Sequence, residues 1–128
     1  MKAKGYEKAL SQVRALCLAL PETREVLAWG HPTFRAGKKM FAGFGEDEKG
    51  LTLGLKFSFD RQDELLKDDR FFPTPYAARQ GWVSLHIDAK TDWGEVGRLV
   101  REAYRQVAIS RMLKALDEQD KSPRAKSL

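Results

Sequence analysis

Between Trp29 and Ala42 the chain sets the cations Arg35, Lys38 and Lys39 among aromatic residues, with Gly37-Lys38 between two short runs of strand-forming residues. Guanidinium and ammonium groups neutralise phosphates, and aromatic rings stack on bases or pack against a partner, so this mixture has the chemistry of a polyanion-binding surface. Lys56, Arg79 and Trp82 extend that chemistry further along the chain. His31 and His86 are secondary candidates: His31 precedes Pro32, where its ring can order a turn, and His86 alternates with apolar residues of a strand.

Catalysis has less support. The chain holds 2 histidines and 1 cysteine, and it contains no glycine-rich phosphate loop or nucleophile motif. Cys17, His31 and Asp88 lie in distant segments, with no spacing that would assemble them into a triad. A non-enzymatic binding protein needing no cofactor is expected.

These residues must be positioned by strands. Gly37-Lys38 suits a two-residue hairpin turn with glycine at the first central position, making Thr33 to Phe44 a basic β-wing. Strands are predicted at Thr33 to Ala36, Lys39 to Phe44, Leu51 to Lys56 and Trp82 to Ile87, with a polar loop from Glu46 to Gly50. Leu10, Val13, Leu16, Cys17 and Leu20 recur at helical spacing, giving a first helix that Pro21 stops before the short run Glu25 to Ala28. Asp60 is the expected N-cap of a short helix from Arg61 to about Lys67. The two prolines of Phe71 to Tyr76 argue for an extended loop there. Thr91 or Asp92 caps a last helix whose stripe of Val96, Leu99, Val100, Ala103 and Val107, continued by Ser110, predicts a single element reaching Leu116.

Strand alternation separates two faces. Phe34, Ala36, Met40, Ala42, Phe44, Leu51, Leu53, Leu55, Val83, Leu85 and Ile87 form an apolar side for the terminal helices to cover. Thr33, Arg35, Lys39, Phe41, Thr52, Gly54, Lys56, Trp82, Ser84 and His86 form the other, with no further helix in the sequence to cover it. The predicted class is α+β: a two-layer sandwich with the N- and C-terminal helices packed on one face of an antiparallel sheet.

Bulk composition agrees. A chain of 128 residues, 42% apolar and 32% charged, suits one domain, expected over 1–116 with a flexible tail at 117–128. No apolar run approaches the ~20 residues that span a bilayer, so a soluble, cytoplasmic protein without a membrane partner is expected. The lone Cys17 excludes an internal disulfide and, on an apolar stripe, is expected to be buried. The net charge of +5 is compatible with a polyanion partner.

Leu20-Pro21-Glu22-Thr23, the Trp29 to Ala42 block, Leu53-Gly54-Leu55-Lys56, Trp82-Val83-Ser84-Leu85 and a closing helix with Tyr104 and Val107 follow one another in an order and spacing that resemble the MmcQ/YjbR family of small bacterial proteins. The resemblance implies a frataxin-like fold and a double-wing DNA-binding arrangement. Frataxins associate iron with an acidic first helix, whereas Lys2, Lys4, Lys8 and Arg14 outnumber Glu7 here, so no metal site is expected. The expected partner is DNA, held weakly and largely without sequence specificity by the basic wing and the open face. The alternative is a protein partner or a small anionic ligand on the same face.

Overall fold

Apolar residues at strand and helix spacing gather between a six-stranded sheet and a layer of helices, in a computed structural model that describes residues 3–121. Helix α1 (Tyr6–Leu18) leads into four strands, β1 (Thr23–Ala28), β2 (His31–Ala36), β3 (Lys39–Asp47) and β4 (Gly50–Lys56). Then come α2 (Phe59–Leu65), the short β5 (Phe71–Pro73), β6 (Trp82–Ile87), and the closing helices α3 (Trp93–Val107) and α4 (Ser110–Lys121). The sheet order is β1-β2-β3-β4-β6-β5, with every neighbouring pair antiparallel.

The core is one continuous cluster. Ala9, Leu10, Val13 and Cys17 of α1, with Val96, Leu99, Val100, Ala103 and Tyr104 of α3, bury Phe34, Ala42, Phe44, Leu53, Leu55 and Val83 of the sheet. Burying each large aliphatic side chain contributes about 1.5–3 kcal/mol before entropic costs. This is the two-layer α+β architecture that the alternating pattern predicts.

Several local expectations change. Phe34 pairs with Ala42 but Arg35 pairs with Met40, so Phe41 is an extra residue on β3. That bulge reverses the alternation: Phe41 is fully buried, 5.7 Å from the Tyr104 ring in an edge-on contact, whereas Met40 lines the open side. The run before Trp29 is the edge strand β1, which pairs with β2 along its whole length. Three residues of the two-proline stretch form β5, at the opposite edge, where a missing N–H is tolerated. Ser58 caps α2, its hydroxyl accepting from the Arg61 N–H at 3.2 Å, and this places Asp60 inside the first turn. Asp92 caps α3, accepting from the backbone N–H groups of Gly94 and Glu95.

The last helix is two helices. Ala108 leaves the helical conformation at ψ 140°, and α4 folds back along α3, with Arg101 on Asp120 at 2.5 Å and Arg105 on Asp117 at 3.5 Å. The reversal returns Met112 and Leu116 to the core. Helix α4 continues to Lys121, beyond the expected end at Leu116, because polar groups hold its last turns: the Gln119 amide also donates to the Ala19 carbonyl at 2.9 Å. The rest of the expected tail, 122–128, lies outside the described residues.

Helix α4 also changes the wing. Gly37 has the expected left-handed conformation, φ 61°, in the β2–β3 turn, and a Cβ there would stand 2.6 Å from the Met112 methyl carbon. Its N–H donates to the Glu22 carbonyl at 3.1 Å, and the Glu22 carboxylate takes a paired contact from Arg111 at 2.7 and 2.9 Å. The hairpin turn is therefore anchored to α4 and the α1–β1 turn instead of projecting freely.

The bulge makes a clear prediction in urea unfolding. Phe41→Ala should destabilise by about 3–5 kcal/mol, while Met40→Ala should cost no more than about 1 kcal/mol; the simple alternation predicts the reverse order. Tyr104→Phe, which removes the hydroxyl's 2.8 Å bond to the Pro21 carbonyl, should cost about 1 kcal/mol in the same measurement.

Candidate functional site

The face of the sheet away from α1 and α3 carries little apolar bulk, because strand register sets small and polar residues there in cross-strand pairs. Gly43 lies opposite Gly54, Gly45 opposite Thr52, Gly54 opposite Ser84, and Lys56 opposite Trp82. The result is a groove of about 920 Å³. Gly43, Gly45 and Gly54 lie in its floor, Trp29 of the β1–β2 turn and His31 at the start of β2 border one side, and Thr74 to Ala77 after β5 border the other.

Side chains at the floor are closely fitted. The His31 ring lies against Gly45, where an added Cβ would meet its Nδ1 at 3.4 Å. A Cβ on Gly54 would approach the Ser84 hydroxyl at 3.2 Å, and that hydroxyl shares a 2.7 Å hydrogen bond with Thr74. His86 serves a different purpose. Its Nε2 meets both Asp47 carboxylate oxygens at 2.9 and 3.0 Å, and its ring stacks on Phe72 at 4.8 Å. Burial pushes the Asp47 carboxyl up, but the His86 contact and the Lys49 and Gly50 N–H groups outweigh it and hold the group below its usual range. His86 thus fastens the β3–β4 turn to β6.

Antiparallel pairing sorts charge along this face. The start of β1, the end of β2, the start of β3, the end of β4 and the start of β6 share one end of the sheet. Arg24, Arg35, Lys38, Lys39, Lys56 and Arg79 all belong to that end, whereas Glu46, Asp47, Glu48 and Asp88 belong to the other. Among the described residues, none of those six cations lies within 4.0 Å of a carboxylate oxygen. By contrast Arg14, Arg61, Arg70, Arg101, Arg105 and Arg111 are each paired with an acid.

The six are not equally available. Arg24, Lys38, Lys39 and Arg79 are exposed. The Lys56 ammonium donates to the Gln80 carbonyl, tying β4 to the loop before β6. Arg35 donates through Nη1 to the Lys38 carbonyl at 3.2 Å, and its Nε is buried without a hydrogen-bond partner among the described residues. Trp82 is only 9% exposed: it forms part of the groove wall and does not present a free ring. The candidate triad does not assemble, since Cys17 is sealed in the core while His31 lies on the open side. Among the described residues, no three His, Cys, Asp or Glu side chains group to hold a metal ion, and no helix is long and apolar enough to cross a membrane.

The most exposed rings are elsewhere, at Trp29 (93% exposed) and Tyr76 (108%), with Phe59 exposed on α2. Trp29 and Tyr76 both line the groove, and both have positive φ, 51° and 67°. Trp29 was legible as a ring but not as a site, and its signal was Trp29-Gly30: a two-residue turn between Ala28 and His31 in which both φ values are positive normally takes Asn or Asp first. Arg24 was hidden because β1 was not recognised as a strand.

The fold has counterparts among crystal structures. The Deinococcus radiodurans protein DR2400 is 22% identical and superposes with a TM-score of 0.69 over 84% of this chain and 87% of its own. A Pseudomonas syringae protein is 14% identical, with a TM-score of 0.59 over 77% of this chain and 97% of its own. No curated protein matches the chain significantly. The YjbR family model matches residues 18–106, which run from the end of α1 through the whole sheet to the last turn of α3. With most of its length accounted for by that match, the chain belongs to the YjbR family.

Proposed function

We propose that this protein is a non-enzymatic nucleic-acid-binding protein, and that the cationic end of its open sheet face takes the phosphate backbone. The observation that carries this reading is the gathering of Arg24, Lys38, Lys39 and Arg79, exposed and without a carboxylate partner among the described residues, at one end of a sheet whose other end carries Glu46, Asp47 and Glu48. An unpaired cation at a surface is neutralised by whatever anion arrives, and phosphate contacts release counterions. Lys56 and Arg35 act behind this group, since each already donates to a backbone carbonyl.

Charge polarity restricts the contact. Glu46, Asp47 and Glu48 at the opposite end repel phosphates, so a nucleic acid engages one end of the face and binds weakly, by charge and shape. The β2–β3 turn is anchored to Glu22 and packed against Met112, so it does not project as a reading element for a duplex groove. Sequence preference is accordingly small.

Neutralising about four phosphates gives a log–log salt slope of magnitude about 3 to 4, measurable by fluorescence anisotropy with a short labelled duplex. Lys38→Ala and Lys39→Ala should each weaken binding equally for all sequences and reduce that slope by about 1. Arg105→Ala, whose guanidinium is already paired with Asp117, should leave both unchanged. Absence of binding at low salt, or a slope indifferent to the lysine substitutions, would overturn the reading.

A further inference from the structure

We infer that the open face of the sheet pairs with the same face of a second copy of this chain, turned about a two-fold axis that crosses the strands. This goes beyond the phosphate-binding reading above and does not rest on it.

An occupant of one sign matches only half of this face. The groove lining carries Lys39 and Lys56 towards one end and Glu46 and Asp47 towards the other. Exposed side chains continue the division: Arg24, Lys38 and Arg79 belong to the first end, Glu48 and Asp88 to the second, where the acids outnumber Lys49 and Lys90. A surface with opposite charge at the two ends of its strands is complementary to itself once strand direction is reversed. A two-fold axis lying in the interface and crossing the strands makes that reversal, whereas an axis along the strands sets like charge on like. A second copy therefore answers both ends at once, and a nucleic acid answers one.

The strand register specifies the contacts. Reversal lays each hairpin turn over the far ends of the same two strands on the partner, give or take the tilt of about 30° that sheet twist imposes. The β1–β2 turn, with Trp29, comes over the partner's Arg24 and the partner's Arg35, which stand directly opposite each other as like charges. An indole face in water there takes up a guanidinium, and a ring held out at positive φ gains a contact that the single chain does not give it. The β3–β4 turn, with Glu48, comes over the partner's Lys39 and the partner's Lys56, at the start of β3 and the end of β4. Asp88 follows β6 and comes over the partner's Arg79, which precedes it. Glu48, Asp88, Lys39 and Arg79 are exposed and outside the ion pairs among the described residues, so none has to give up a partner to make these contacts. Gly43, Gly45 and Gly54 leave the floor low enough to receive side chains from a facing sheet.

Sedimentation equilibrium of the full chain tests this. At about 0.1 M salt the Debye length of about 10 Å screens the net charge of +5 more than it screens facing pairs, so a monomer–dimer equilibrium should appear, and about 0.5 M salt should weaken it about tenfold or more. Lys39→Glu and Glu48→Lys should each weaken association about tenfold or more by setting like charges face to face. An equimolar mixture of the two variants should restore it, because each Glu then meets a Lys. Trp29→Gly, at ease with positive φ, should weaken association about tenfold while the melting temperature holds or rises. Glu48→Lys should bind the labelled duplex as tightly as the parent or more tightly, which separates the two occupants of the face. A parental chain that stays monomeric up to about 1 mM, association indifferent to either charge reversal, or no recovery in the mixture would overturn this inference and leave the phosphate-binding reading standing. A salt-sensitive dimer that binds no duplex would overturn that reading and leave this one.

Discussion

The contact of Tyr104 with its surroundings is the constraint on which the other features depend. Its ring is fully buried, edge-on to Phe41, and its hydroxyl reaches 83 residues back along the chain to the Pro21 carbonyl. One side chain thus joins α3, the bulged strand β3 and the turn between α1 and β1. Burial, reinforced by the nearby Glu22 charge, pushes its phenol above the ordinary range and keeps it a hydrogen-bond donor. With Phe41 drawn into the core, Met40 turns outward; with the α1–β1 turn held, Glu22 can receive both Arg111 and the Gly37 N–H. The position of the β2–β3 hairpin follows from these bonds.

Helices on one side only have a further effect. Most of the large buried apolar residues lie in the inner layer, Trp82 being an exception on the open face, so the outer side of the sheet can hold glycine, threonine and serine at its centre. Antiparallel order then does the electrostatic sorting: strand ends that are far apart in sequence come to one end of the sheet, and Arg24 and Arg79 share that end although three strands lie between β1 and β6. The polarity of the face is a property of topology as much as of composition.

The layers, the strand positions and the identity of the buried aliphatics were readable because alternation and helical spacing are local. The Phe41 bulge was not, since it is decided by Tyr104, a residue far along the chain whose ring fits Phe41 and not Met40. Nor was the break at Ala108, which contains neither proline nor glycine and is favoured by what α4 gains on folding back. At the site, the cations Lys38, Lys39 and Arg79 are exposed, while Trp82 is wall and His86 a fastener. Burial of a tryptophan on a polar strand face depends on the loop above it, here Thr74 to Gln80, and loop paths leave no periodic trace.

The sealed thiol of Cys17 gives the molecule a built-in clock. With no exposed surface, and with burial and the Glu25 charge pushing its ionisation well above the ordinary range, the sulfur forms no reactive thiolate in the native state. Alkylating and oxidising reagents consequently reach this sulfur only in molecules in which α1 has lifted from the sheet. Where labelling outpaces reclosing, the rate at which the thiol takes up label counts those opening events, and where reclosing is faster it reports the population of the opened form.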